Sequence, residues 1–149
     1  MKNEMTVIFD ALSENEAFAR NTVAAFCVAL DPPVDQINDI KTAVSEAVTN
    51  CIVHAYSGAK GPQKITIDTA IDTDTVHIVV SDTGIGIENI ENAMQPFFTT
   101  KPDEERSGMG FTVMESFMDT LEVTRNTPSG TVVTMTKTIR GADWNKKTL

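Results

Sequence analysis

The chain has 149 residues, 41% of them hydrophobic and 22% charged, with 12 basic against 21 acidic side chains and a net charge of −9. That composition is globular, which excludes disordered and fibrous classes, and the length predicts one domain. The acid excess argues against a nucleic-acid surface, which needs a basic footprint, and permits basic protein partners.

Met5–Asp10 alternates loosely and is rich in β-formers, so a first strand is expected there. Ser13-Glu14-Asn15-Glu16 has the form of a capping box and predicts the start of a helix running through Phe18, Val23, Phe26, Cys27 and Leu30. Within it lies the longest apolar run, Val23–Leu30, far short of the roughly 20 residues that span a bilayer. Asp31-Pro32-Pro33 ends that helix, because proline lacks the donor and disfavours helix just before it. A second helix opens at Pro33 or Asp35, reaches about Tyr56, and is stopped by the Gly-rich segment 57–62. Lys64–Ile71 and Thr75–Ser81 alternate apolar and polar around an Asp72-Thr73-Asp74 turn, the pattern of an antiparallel hairpin. Asp82–Ile87 is a glycine loop, Glu88–Met94 a short weak helix, and Gln95–Gly110 a long, polar, mobile loop. Phe111–Met118 predicts a helix, and Thr120–Arg125 and Thr131–Ile139 the last strands. The order β-α-α-β-β-(α)-loop-α-β-β implies an α+β domain with helices on one face of a mainly antiparallel sheet. Cys27 and Cys51 fall on apolar stretches and are expected to be buried reduced thiols; with no basic or apolar signal region at the N-terminus, a cytoplasmic protein is expected.

Three short motifs carry candidate chemistry. On a wheel of about 100° per residue with Glu46 at zero, Asn50 falls at about 40°, while Ile37, Ile40, Val44, Val48, Cys51 and Ala55 cluster between about 120° and 200°. Glu46 and Asn50 therefore project together, away from the apolar stripe. Alone, such a pair reads as a solvated face; its chemical reading is a carboxylate base beside an amide oxygen suited to a hard cation such as Mg²⁺. Asp82-Thr83-Gly84-Ile85-Gly86 follows a strand and reads either as a turn or as a loop whose carboxylate accepts from an exocyclic amine. Ser107-Gly108-Met109-Gly110-Phe111 lies where a loop becomes a helix, a junction that presents free N–H groups to an anion, with Arg106 beside it as a fixed positive charge. Lys101 reads as a loop charge. There is no Walker-type P-loop, no Rossmann fingerprint, and none of the ordinary protein-kinase motifs. His54 and His77 lack a ligand-spaced third group, so metal binding by them is not expected.

Taken in order, Glu46–Asn50, Asp82–Gly86, Ser107–Phe111 and Gly130-Thr131 resemble the N, G1, G2 and G3 boxes of the GHKL ATP-binding superfamily. Within it, EAVTNCIVHAY, QPFFTTKP and ERSGMGFTVMESFMD are similar to the small anti-sigma-factor serine kinases of Gram-positive bacteria. The resemblance implies a Bergerat-type α/β sandwich over residues 1–149, with an ATP lid at about 95–110 and a basic tail at about 141–149. It implies ATP and Mg²⁺ as cofactors, with Asn50 as metal ligand and Glu46 as general base. Asp82 would accept the adenine amino proton, supported by Thr131. Gly84 and Gly86 would shape the base site, Gly108 and Gly110 would hold phosphates, and Arg106 would neutralise charge during transfer. The implied partners are a sporulation sigma factor (sigma-F in that branch), an anti-anti-sigma protein carrying the acceptor serine, and a second copy of the chain. A stress-response anti-sigma-B kinase, or a nucleotide-gated sigma-binding module without significant kinase activity, are the alternatives.

Overall fold

Alternate residues of the second and third predicted strands are buried, and that period of two organises the molecule. In the computed structural model, which describes residues 2–56, 63–95 and 110–140, five strands form one sheet: β1 (Lys2–Asp10), β2 (Lys64–Asp72), β3 (Thr75–Ser81), β4 (Thr120–Arg125) and β5 (Thr131–Thr138). Their spatial order is β1-β2-β3-β5-β4, and all four pairings are antiparallel. Val7, Ile67, Val80, Val133 and Val123 line up across all five strands on the inner face. All five belong to the core or pack against it, and each fully buried aliphatic side chain among them is worth about 1.5–3 kcal/mol. The matching row on the other face, Thr6, Asp68, Val79, Thr134 and Glu122, has no buried member.

Helices α1 (Glu16–Cys27), α2 (Val34–Asn50) and α4 (Gly110–Phe117) cover the inner face, with α2 in the middle against both others. The apolar stripe of α2 supplies buried Ile40, Val44 and Val48 to the core. One local expectation fails: the capping box does not form. Ser13–Asn15 is a turn of 3-10 helix, no side chain caps α1, and Glu16 instead pairs with Arg20 one turn on. The Asn15 amide is committed elsewhere, donating to the Asp10 carbonyl. The helix unwinds through a second 3-10 turn, Val28–Leu30, and reverses at Asp31, whose φ is 47°.

α2 does not stop at Asn50. It widens into a π-helical turn, Cys51–Ala55, so the second helical run ends near Tyr56 as the sequence predicts. The short helix expected at 88–94 is a single turn, α3 (Ile90–Ala93), capped by the Asn89 side chain accepting from the Asn92 N–H. Both cysteines are buried and unbridged, and burial pushes the Cys27 thiol up to about 11. No helix among the described residues is long and apolar enough to cross a membrane. The expected basic tail and, apart from Gln95 and Gly110, the expected lid lie outside the described residues, as do Lys101, Arg106 and Gly108.

Candidate functional site

Placing β5 between β3 and β4 brings the start of β5 against the end of β3, and the glycine loop leaves the sheet at that point. The Asp82 N–H donates to the Thr131 carbonyl at 3.1 Å. The Asp82 side chain turns back inward and is only 5% exposed. Its Oδ1 accepts from the N–H groups of Gly84 (3.0 Å) and Thr131 (3.2 Å), and its Oδ2 accepts from the Cys51 thiol at 3.5 Å. Burial raises the Asp82 carboxyl above its ordinary value, against the lowering effect of these donors. The Cys51 thiol is pushed well above its usual range, first by burial and then by the adjacent carboxylate, so it stays protonated and can donate.

Backbone packing fixes the loop around that carboxylate. A Cβ on Gly84 would stand 2.1 Å from the Ala55 carbonyl oxygen, so only glycine fits where the loop crosses the π-helical turn. That same carbonyl accepts from the Ile85 N–H at 2.9 Å. Tyr56, at the end of the turn, accepts from the Thr83 N–H and donates to the Lys64 carbonyl through its hydroxyl. On the other side, Gly130 has φ 108°, and a Cβ there would stand 2.1 Å from the Asp82 carbonyl oxygen. The Asn126 amide donates to that oxygen at 2.8 Å, and the Ser129 hydroxyl donates to the Thr83 carbonyl at 3.1 Å.

These elements enclose a cavity of about 710 Å³, within the size range of small-molecule sites. α2 and its π turn contribute Asn50, Cys51 and His54; the glycine loop contributes Asp82, Gly86 and Ile87; α3 and its cap contribute Asn89 and Asn92; Gly110, Phe111 and Thr131 complete the wall. At one end lies buried Asp82. At the other, the first residue of α4 rests on the polar face of α2: a Cβ on Gly110 would lie 3.2 Å from Asn50 Oδ1 and 3.4 Å from Glu46 Oε2. Glu46 and Asn50 are therefore half-buried under α4 rather than on an open face.

Seven of the nine residues singled out from the sequence thus meet in or beside one cavity: Glu46, Asn50, Asp82, Gly84, Gly86, Gly110 and Thr131. Arg106 and Gly108 are outside the described residues. Sequence reasoning left Cys51 as a core thiol and His54 as a helix-face residue; both line the cavity. Position 51 does fall within the apolar stripe, so periodicity alone assigns it to the core. Asn89 and Asn92, which also line it, carry no motif that marks them.

The sequence matches the family described as "Histidine kinase-like ATPase domain" over residues 9–137. A protein of Bacillus licheniformis named anti-sigma F factor is 51% identical over 137 residues, covering 92% of this chain and 93% of its own. One of the same name from Clostridium beijerinckii is 56% identical over 135 residues, covering 91% and 94%. Among solved structures, the RsbU and RsbW domains of a Mycobacterium tuberculosis protein superpose with a TM-score of 0.66 at 19% identity, covering 92% of this chain and 32% of that one. The histidine kinase domain of an Erythrobacter litoralis blue-light activated kinase gives 0.55 at 19%, covering 83% and 60%, so both show a shared fold.

Proposed function

This chain belongs to the histidine kinase-like ATPase family, in the branch of the anti-sigma F factors, and from that premise we propose that it is an ATP-dependent protein-serine kinase and anti-sigma factor. It sequesters a sporulation sigma factor, sigma-F, and phosphorylates a serine of the anti-anti-sigma protein that antagonises it. In this reading the chain works in the cytoplasm, as a homodimer built from a single domain. The name carried by relatives 51% and 56% identical favours the sporulation partner set over a stress-response one.

The observation that carries the reading is one cavity lined by a buried carboxylate, Asp82, and by Asn50, with Glu46 beside Asn50 under the first residue of α4. Asp82 Oδ2 accepts from the adenine amino group, while Oδ1 is held by backbone N–H groups of Gly84 and Thr131. Gly86 lines the base site. The phosphates extend toward Asn50 and the start of α4, where the Gly110 N–H is an anion donor. Among the described residues lining the cavity there are Asp82 and Glu88 but no Lys or Arg, and a cation would offset a triphosphate's charge beside them. No cluster of three His, Cys, Asp or Glu that could hold a metal occurs among the described residues. The Asn50 oxygen is a hard donor facing the cavity, which suits Mg²⁺, an ion that takes few protein ligands and fills its octahedron with water and phosphate oxygens. When bound, Mg²⁺ would be held by Asn50 and would supply positive charge against the phosphates. Arg106 and Gly108 take their parts, charge neutralisation and phosphate binding, on the sequence motif.

In the transfer step the acceptor serine Oγ bonds to the γ-phosphorus, the bond to the β–γ bridging oxygen breaks, and ADP leaves. Glu46 accepts the hydroxyl proton. Phosphoryl transfer of this kind depends mainly on positioning and electrostatics. The test is phosphotransfer from labelled ATP to the purified anti-anti-sigma protein, with pull-down of sigma factors in ATP and in ADP. Wild-type chain is expected to label the partner on serine and to hold sigma-F more tightly with ATP. Asn50→Ala is expected to lose Mg²⁺-ATP binding or transfer while keeping the fold. Wild-type-like labelling by that variant would sink the metal-ligand role, and absence of any labelling by wild-type chain would sink the kinase reading.

A further inference from the structure

The two oxygens of Asp82 are used differently, and the difference isolates a residue that the motifs pass over. An ionised carboxylate offers about four lone-pair sites. Oδ1 fills two of them with the N–H groups of Gly84 and Thr131. Oδ2 fills a third with the Cys51 thiol at 3.5 Å. Cys51 is 3% exposed, Asp82 is 5% exposed, and both line the cavity. Among the described residues these three donors leave one acceptor site, open to a ligand that brings a hydrogen.

We propose that Cys51 is a specificity-determining residue of the pocket: its thiol, donating to Asp82 Oδ2, fixes that oxygen as an acceptor and so selects a 6-aminopurine nucleotide over a 6-oxopurine one. The inference rests on the ATP reading above and deepens it. A 6-amino group supplies the missing donor. A 6-oxo group places a second acceptor against a carboxylate that already has three protein donors arranged around its charge, and a buried polar mismatch of that kind is what gives polar sites their selectivity. Without the thiol, Oδ2 loses that donor, and the carboxylate can turn or take water. Binding of the amino nucleotide then weakens, while the oxo nucleotide gains room.

The experiment titrates the full-length chain with Mg²⁺-ATP and, separately, with Mg²⁺-ITP, which differs at the 6-position of the purine. Wild type, Cys51→Ala and Cys51→Ser are compared, with melting curves to establish that each is folded. Wild type is expected to prefer ATP. Cys51→Ala is expected to reduce the ATP-to-ITP affinity ratio about fivefold, the size of one net hydrogen bond. Cys51→Ser keeps a donor on a slightly shorter bond and is expected to recover part of the ratio. A packing role alone would lower both affinities together and leave the ratio unmoved. An unchanged ratio in Cys51→Ala, or a Cys51→Ser ratio no different from that of Cys51→Ala, overturns the assignment and leaves the ATP reading standing. Wild-type chain that binds neither nucleotide overturns both.

Discussion

The two ends of the cavity are built by different means. The end that holds Glu46 and Asn50 comes from one helix, where a spacing of four residues makes two side chains neighbours, and α4 only closes it through Gly110. The end that holds Asp82 is assembled from the glycine loop, the π turn at Cys51–Ala55, the 126–130 segment and the start of β5, which are distant in sequence. One end is local geometry with chemistry on it. The other is a set of backbone contacts that leave one carboxylate buried and nearly saturated with donors. The contrast implies that the proposed transfer chemistry can be removed with little cost to the fold, whereas changes around Asp82 are expected to act on fold and on the proposed ligand together.

The largest expected effect tests that separation at the helix end. Glu46→Gln keeps size and hydrogen-bonding capacity but removes the proposed base. Transfer is expected to fall by about 10²- to 10⁴-fold, with ATP and sigma-factor binding retained. Single-turnover kinetics beside binding curves checks this, and undiminished transfer would reduce Glu46 to a polar helix residue.

Next is Asp82→Asn, where binding and stability should move in opposite directions. An amide N–H facing the purine amino group replaces an acceptor, so ATP affinity is expected to drop by about 10- to 100-fold, the range of hydrogen bonds to charged groups. Stability is expected to rise at pH 7. Because burial raises the Asp82 carboxyl above 3.8, the folded chain binds this proton more tightly than the unfolded chain does. The cost of the buried charge therefore sets in as pH rises from the unfolded carboxyl value through the folded one, and it is absent below both. The advantage of the variant should accordingly shrink as pH is lowered into the ordinary carboxylate range. Denaturant melts at several pH values measure it; an advantage that does not change with pH would contradict burial as the cause.

The smallest effect belongs to Asn126→Ala. It removes the amide that donates to the Asp82 carbonyl and accepts from the Thr127 N–H, both at the Asp82 end. A loss of about 1 kcal/mol in stability and a few-fold weaker ATP binding are expected, with the rate of transfer from bound ATP unchanged. A fall in that rate would mean that the two ends of the cavity are coupled.

How much of this was legible beforehand follows the same division. The strands were readable because a half-buried sheet imposes a period of two, which Lys64–Ile71 and Thr75–Ser81 keep except at Thr69, Ala70 and Val79. The pairing of Glu46 with Asn50 was readable because helical spacing fixes neighbours regardless of what packs around them. The failed capping box at Ser13 shows the limit of local signals: Ser13 falls inside a 3-10 turn instead of capping α1, and Glu16 meets Arg20.

What the sequence by itself determined is the order of elements, the core faces and the identity of the motif residues, since all of these follow from periodicity and short-range sterics. Tertiary structure alone decided that β5 enters between β3 and β4, and with it that Thr131 meets Asp82. It also decided that the second helix ends in a π turn, whose Ala55 carbonyl accepts from the Ile85 N–H and whose Cys51 meets Asp82. The physical reason is the same in both cases. Contacts between residues about 30 or 50 apart in the chain depend on how all the packed layers settle together, and no local pattern encodes which carboxylate oxygen a thiol on another element will reach.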